Sequence, residues 1–145
     1  MSAVKKFEEF IKEGIVKKIS VDKNRANNLY LESERKFRLL QKKIEKLGVD
    51  DESANDYIED CYNILIFIIR AKMLEKGYSS SGQGAHEGEV SYSGELEFSD
   101  AEVQLLDRLR YFRNGILYYG KRFDKEYANK IIEFTKKKFK VLIKN

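Results

Sequence analysis

The chain of 145 residues contains no proline and no tryptophan, one cysteine and one histidine. Average usage would place about seven prolines in a chain of this length. An interior proline costs a helix roughly 3 kcal/mol, so the absence fits long, uninterrupted helices. Cys61 alone excludes an intramolecular disulfide and any cysteine-based zinc site, which fits a reducing compartment. His86 alone excludes multi-histidine metal sites. Neither a metal nor a cofactor is expected. The longest apolar run, Ile64 to Ile69, is far short of the roughly 20 residues that span a bilayer. The N-terminus is charged from Lys5 and lacks an apolar signal core. These absences predict a cytoplasmic protein with no membrane partner.

What remains is a composition 36% charged and 42% apolar, that of a globular domain, and the length fits a single one. The net charge of +4 is unevenly spread. Residues 1 to 76 carry 16 basic and 14 acidic side chains. From 77 to 100 there are five acidic residues and no basic one, and from 101 to 145 there are 12 basic against five acidic. The C-terminal third is therefore the candidate surface for an anionic partner.

Helical periodicity marks five helices. The first is expected over about 3 to 19, with Val4, Phe7, Ile11 and Ile15 on one face. The second follows the capping candidates Ser20 and Asp22, carries a heptad-like seam and ends at Gly48. The third opens in the acidic turn 50 to 53 and runs to Lys76. It is apolar over more than half its circumference, which predicts the central, most buried helix. Residues 77 to 98 hold five of the nine glycines and five serines, and read as a long mobile loop. Ser99 and Glu102 form a capping box for the fourth helix, and Asp124 caps the fifth after Gly120. No segment sustains strand alternation. The expected fold is all-α, an antiparallel up-and-down bundle of four to five helices with one long loop, in a single domain with 1 to 19 as an extra helix.

The most distinctive local sequence is 105 to 120, where Arg108, Arg110 and Arg113 flank an apolar stripe and Asn114 follows Arg113. Guanidinium groups on a rigid element hold phosphate bidentately, and neighbouring tyrosines offer stacking faces and hydroxyls. The same residues also suit a solvated helix whose arginines pair with Asp107 and Glu102. Asn114 and Tyr118 share a face at i, i+4, whereas Arg113 sits about 140° from Tyr118. A cleft using both then needs a distortion at Gly115 or a second subunit.

The run Arg113-Asn114-Gly115-Ile116-Leu117-Tyr118-Tyr119-Gly120, preceded by Leu105 to Arg110, resembles the signature helix of the HEPN superfamily in its small prokaryotic and archaeal branch. The likeness takes in Met73 to Tyr78, His86-Glu87-Gly88 and Phe123 to Ala128, and covers roughly residues 20 to 145. The family's mark is an arginine, usually followed by a polar residue, then four to six residues and a histidine. The resemblance implies a helical bundle, a homodimer, and metal-independent ribonuclease activity with arginine and histidine of both subunits in one cleft. Some members pair as toxins with a small nucleotidyltransferase. In this chain Arg113 and Asn114 match, while the histidine position holds Tyr118 and the following tyrosine position holds Gly120. Tyrosine, with a pKa near 10, is a poor proton shuttle at neutral pH.

The resulting expectation is an RNA- or nucleotide-binding protein, weak or lacking in catalysis. Arg113, Asn114 and Tyr118 form its centre, Arg110, Arg113 and Lys121 hold phosphate, and His86 and Tyr119 are accessory. The alternatives are a metal-independent endoribonuclease using Arg113 and Tyr118, and a non-catalytic partner of a small nucleotidyltransferase.

Overall fold

A computed structural model describes the chain over residues 3–144, without the side chains of residues 116–119 and 144. Its elements in chain order are α1 (Phe7–Lys12), β1 (Val16–Lys18), α2 (Lys23–Leu47), α3 (Ala54–Glu75), β2 (Tyr78–Ser80), α4 (Ala85–Tyr92), a 3-10 turn (Ser93–Glu95), α5 (Asp100–Tyr119) and α6 (Lys125–Lys144). The fold is an all-α antiparallel bundle with one small two-stranded ribbon.

α3 is its axis. Ile58, Cys61, Ile64, Leu65, Ile68 and Ile69 are fully buried, and α2, α4, α5 and α6 all pack on this helix. Burial pushes the Cys61 thiol up to about 12, so it behaves as a small apolar core group. The α2–α3 hairpin is fixed locally. Asp22 accepts from the Arg25 N–H at 3.0 Å to start α2, Gly48 ends it, and the Tyr57 hydroxyl donates to the Gly48 carbonyl at 2.9 Å. Ser33, buried on α2, donates to the Ile64 carbonyl at 2.8 Å and so is satisfied inside the seam.

The capping box forms as expected, with reciprocal bonds between Ser99 and Glu102 at 2.9 and 3.1 Å. Asp124 caps α6 through the Tyr127 N–H at 2.9 Å. Asn55, in the first turn of α3, clamps the α5–α6 connection: its amide donates to the Lys121 carbonyl at 2.8 Å and accepts from the Phe123 N–H at 2.9 Å.

Two expectations are corrected. The helix expected over 3 to 19 stops at Lys12, because Gly14 takes a left-handed φ of +76°. The β-branched residues beyond it favour extended backbone, and Val16–Lys18 pairs antiparallel with Tyr78–Ser80. The face of α1 is accordingly Phe7 and Phe10, with Ile11 turned outward. The segment 77 to 98, expected as a mobile loop, folds into β2, α4 and the 3-10 turn. In α4 five consecutive residues, Gly88 to Tyr92, are buried. Ser91 of α4 and Ser93 of the 3-10 turn close on the Gly88 and Val90 carbonyls, both at 2.6 Å, so these two buried hydroxyls are satisfied locally. No described helix is long and apolar enough to cross a membrane.

Candidate functional site: an arginine cluster between α3, α4 and α5

α5 runs unbroken through Gly115 to Tyr119, so the helical spacing separating positions 113 and 118 is kept. Arg110, largely buried, donates through Nε to Asp107 Oδ1 at 2.8 Å. Arg113 is half-buried, and its Nε is buried with no acceptor among the described residues. Its charge acts on Glu59 and Tyr62, which stand one turn apart on α3. Desolvation raises the Glu59 carboxyl above its ordinary range, and Arg113 offsets part of that. Asn114 is exposed. Tyr118 and Tyr119 have side chains outside the described residues.

Lys121, just past the helix, holds its ammonium 5.3 Å from the Phe112 ring and 5.5 Å from the Phe123 ring. It is exposed and backed by aromatic faces, an arrangement that keeps a cation near the end of α5. Glu102, offered by the sequence as an arginine partner, instead pairs with Lys138 at 2.6 Å and with Lys137 at 3.8 Å.

His86 is brought to the cluster by α4. Its Nδ1 lies 3.2 Å from Glu89 Oε1, and Glu89 takes two hydrogen bonds from Arg70 of α3, at 2.5 and 3.0 Å. Glu89 is almost wholly buried, whereas His86 is two-thirds exposed. Tyr62 of α3 is buried, and its hydroxyl has no partner among the described residues. Burial raises its pKa, aided by Glu89 and opposed by Arg110, Arg113 and Arg70. The phenol therefore stays protonated at neutral pH, and its hydroxyl can both donate and accept.

Tyr62, Arg70 and Glu89 escaped the sequence reading. A signal for the pair existed: Arg70 interrupts the apolar stretch of α3, and the segment from 77 to 100 has five carboxylates with no basic residue of its own. Each needed a partner distant in sequence.

Chemically, the arrangement offers three guanidinium groups with unequal commitments. Arg70 and Arg110 are held by carboxylates, whereas Arg113 Nε and the Tyr62 hydroxyl have no partner among the described residues. A surface groove of about 800 Å³ lies elsewhere, between α2 and α6, floored by the stacked rings of Phe37 and Phe139 and edged by Lys136, Lys137 and Lys140. Compared with protein families, curated proteins and solved structures, the chain matches none of them.

Proposed function

We propose that the chain is a HEPN-like RNA- or nucleotide-binding protein, working as a homodimer, that takes phosphate on the face of α5 carrying Arg110, Arg113 and Asn114. The observation that carries this reading is the Arg113 side chain, whose buried Nε has no acceptor among the described residues although Arg70 and Arg110 beside the same tyrosine are both paired. A buried donor without an acceptor is costly, and a phosphate oxygen relieves it. Lys121 at the end of the helix and the basic C-terminal third add attraction at longer range.

Fluorescence anisotropy of a labelled oligoribonucleotide tests the reading. Affinity is expected to fall steeply with salt, and Arg113→Ala to lower it about tenfold or more while circular dichroism stays unchanged. Binding indifferent to salt, or equal in Arg113→Ala, overturns it.

One observation favours cleavage as a second reading: His86, the chain's single imidazole, is oriented by Glu89 on the element that borders the arginines. Metal-free RNA cleavage lost in both Arg113→Ala and His86→Ala supports that reading, and residual activity equal in both variants removes it.

A further inference from the structure

Among the described residues α2 and α6 both pack along α3 but scarcely on each other, which leaves the groove of about 800 Å³ between them. Its floor is where the two helices do meet, Phe37 against Phe139, with ring centroids 4.0 Å apart and planes 12° from parallel. The wall is mostly α6. From Glu133 to Ile143 it extends about 15 Å, three helical turns. Phe139, Val141 and Ile143 supply its apolar part, and Ile143 is 38% exposed. Three lysines stand along the groove against one carboxylate. Lys136 lies 3.5 Å from Glu133, Lys137 pairs at 3.8 Å with Glu102 outside the groove, and Lys140 has no ion pair among the described residues. The edge is net positive.

Geometry and charge sort the occupants. An open groove leaves one side of a small ligand in water, whereas such ligands are normally enclosed over most of their surface. A second copy of the chain, docked on this same face about a two-fold axis, brings lysines against lysines. A nucleic acid finds cations here but a poor stacking platform: one face of each ring is taken by the other, and Val141 and Ile143 offer neither hydrogen bonds nor π-faces. An amphipathic helix needs what is present, an apolar trough about three turns long with charge on its edge. We infer that the groove between α2 and α6 docks an acidic amphipathic helix of a partner protein. Its apolar stripe lies on Phe139, Val141 and Ile143, and its carboxylates face Lys136, Lys137 and Lys140. The groove shares no residue with the arginine cluster of α5, so the inference is independent of RNA or nucleotide binding.

The test uses the full chain and two labelled peptides of one composition, leucine and glutamate on an alanine background. In one the leucines recur at i, i+3, i+4 and i+7 to form a stripe; in the other the order is scrambled. Fluorescence anisotropy is expected to show the striped peptide binding about tenfold tighter or more. Lys140→Glu and Ile143→Ser are each expected to weaken it about fivefold. Both side chains are exposed, so circular dichroism is expected to stay unchanged. Equal affinity for the two peptides, or none for either, overturns the inference. Striped-peptide binding indifferent to both substitutions also overturns it, because the site then lies elsewhere. Three further outcomes assign the groove to another occupant and overturn the partner helix: dodecanoate binding more tightly than the striped peptide, loss of oligoribonucleotide affinity in both variants without peptide binding, or a dimer in sedimentation velocity that Ile143→Ser dissociates.

Discussion

Glu89 of α4 receives both the Nε–H and an Nη2–H of Arg70 on α3, so the helix formed by the glycine- and serine-rich segment is bolted to the bundle axis through a buried carboxylate. Removing one partner of such a pair leaves the other charged and poorly hydrated. Glu89→Gln is expected to lower stability by about 2 kcal/mol, less than for a wholly buried pair because Arg70 retains 26% exposure. Urea unfolding at pH 7 checks this through the midpoint at constant slope. The double variant Arg70→Met/Glu89→Leu is expected to recover most of the loss.

Glu102 sets a pH dependence. Burial raises its carboxyl, but the hydrogen bonds from Lys138 and the Ser99 N–H, with the Lys137 charge, outweigh that and hold it below the ordinary 4.5. An acid whose folded pKa lies below its unfolded value stabilises the fold fully above the unfolded value, and loses that contribution as pH falls through the folded one. Glu102→Gln is therefore expected to be less stable than wild type at pH 7, by roughly 0.5–1 kcal/mol. The two proteins converge as pH falls below the ordinary glutamate range. Thermal unfolding from pH 7 to 3 measures the convergence, and a gap constant across that range contradicts the assignment.

Asn55 connects the start of α3 to the turn that presents Lys121. Its side chain makes one bond in each direction, to the Lys121 carbonyl and from the Phe123 N–H. Asn55→Ala is expected to cost about 1–2 kcal/mol, and Asn55→Asp about half as much, since the aspartate still accepts from Phe123. Denaturant midpoints of the two variants provide the check, and equal losses would show that only the Lys121 bond contributes.

Glycines separate by what surrounds them. Gly77 has a φ of +80°, and a Cβ there would stand 2.7 Å from the Ile19 carbonyl oxygen, the backbone that β1 leads into. Gly82 has a φ of +76° with open space around it. Gly77→Ala is expected to cost about 2–3 kcal/mol, against about 1 kcal/mol for Gly82→Ala, where only the backbone conformation is strained. Melting temperatures in a single buffer order the two.

The long helices were legible because burial on one side imposes a period. The apolar circumference of α3 foretold its central place, and Ser99, Glu102, Asp124 and Gly48 all act at the ends their chemistry suits. α4 was not legible for the same physical reason in reverse. Its residues from Gly88 to Tyr92 are buried all round, so no polar face marks a period, and its serines and glycines imitate a loop. A three-residue strand such as Val16–Lys18 is too short to show alternation. Within the candidate site, Arg110 and Arg113 were found by local sequence. Tyr62 and Glu89 were not, since their role comes only from which helices pack together.

The pairing of Val16 with Ser80 closes roughly sixty residues of chain, most of them in the α2–α3 hairpin. Contacts within that hairpin are local and assemble early, whereas a ribbon spanning it gains nothing until its ends are already close. The N-terminal arm is thus the last strap to be fastened. With α2 and α3 alone joined, Phe10 and Val16 are not yet against α4, and loop closure predicts that the apolar side of the segment carrying His86 and Glu89 is covered only when they dock.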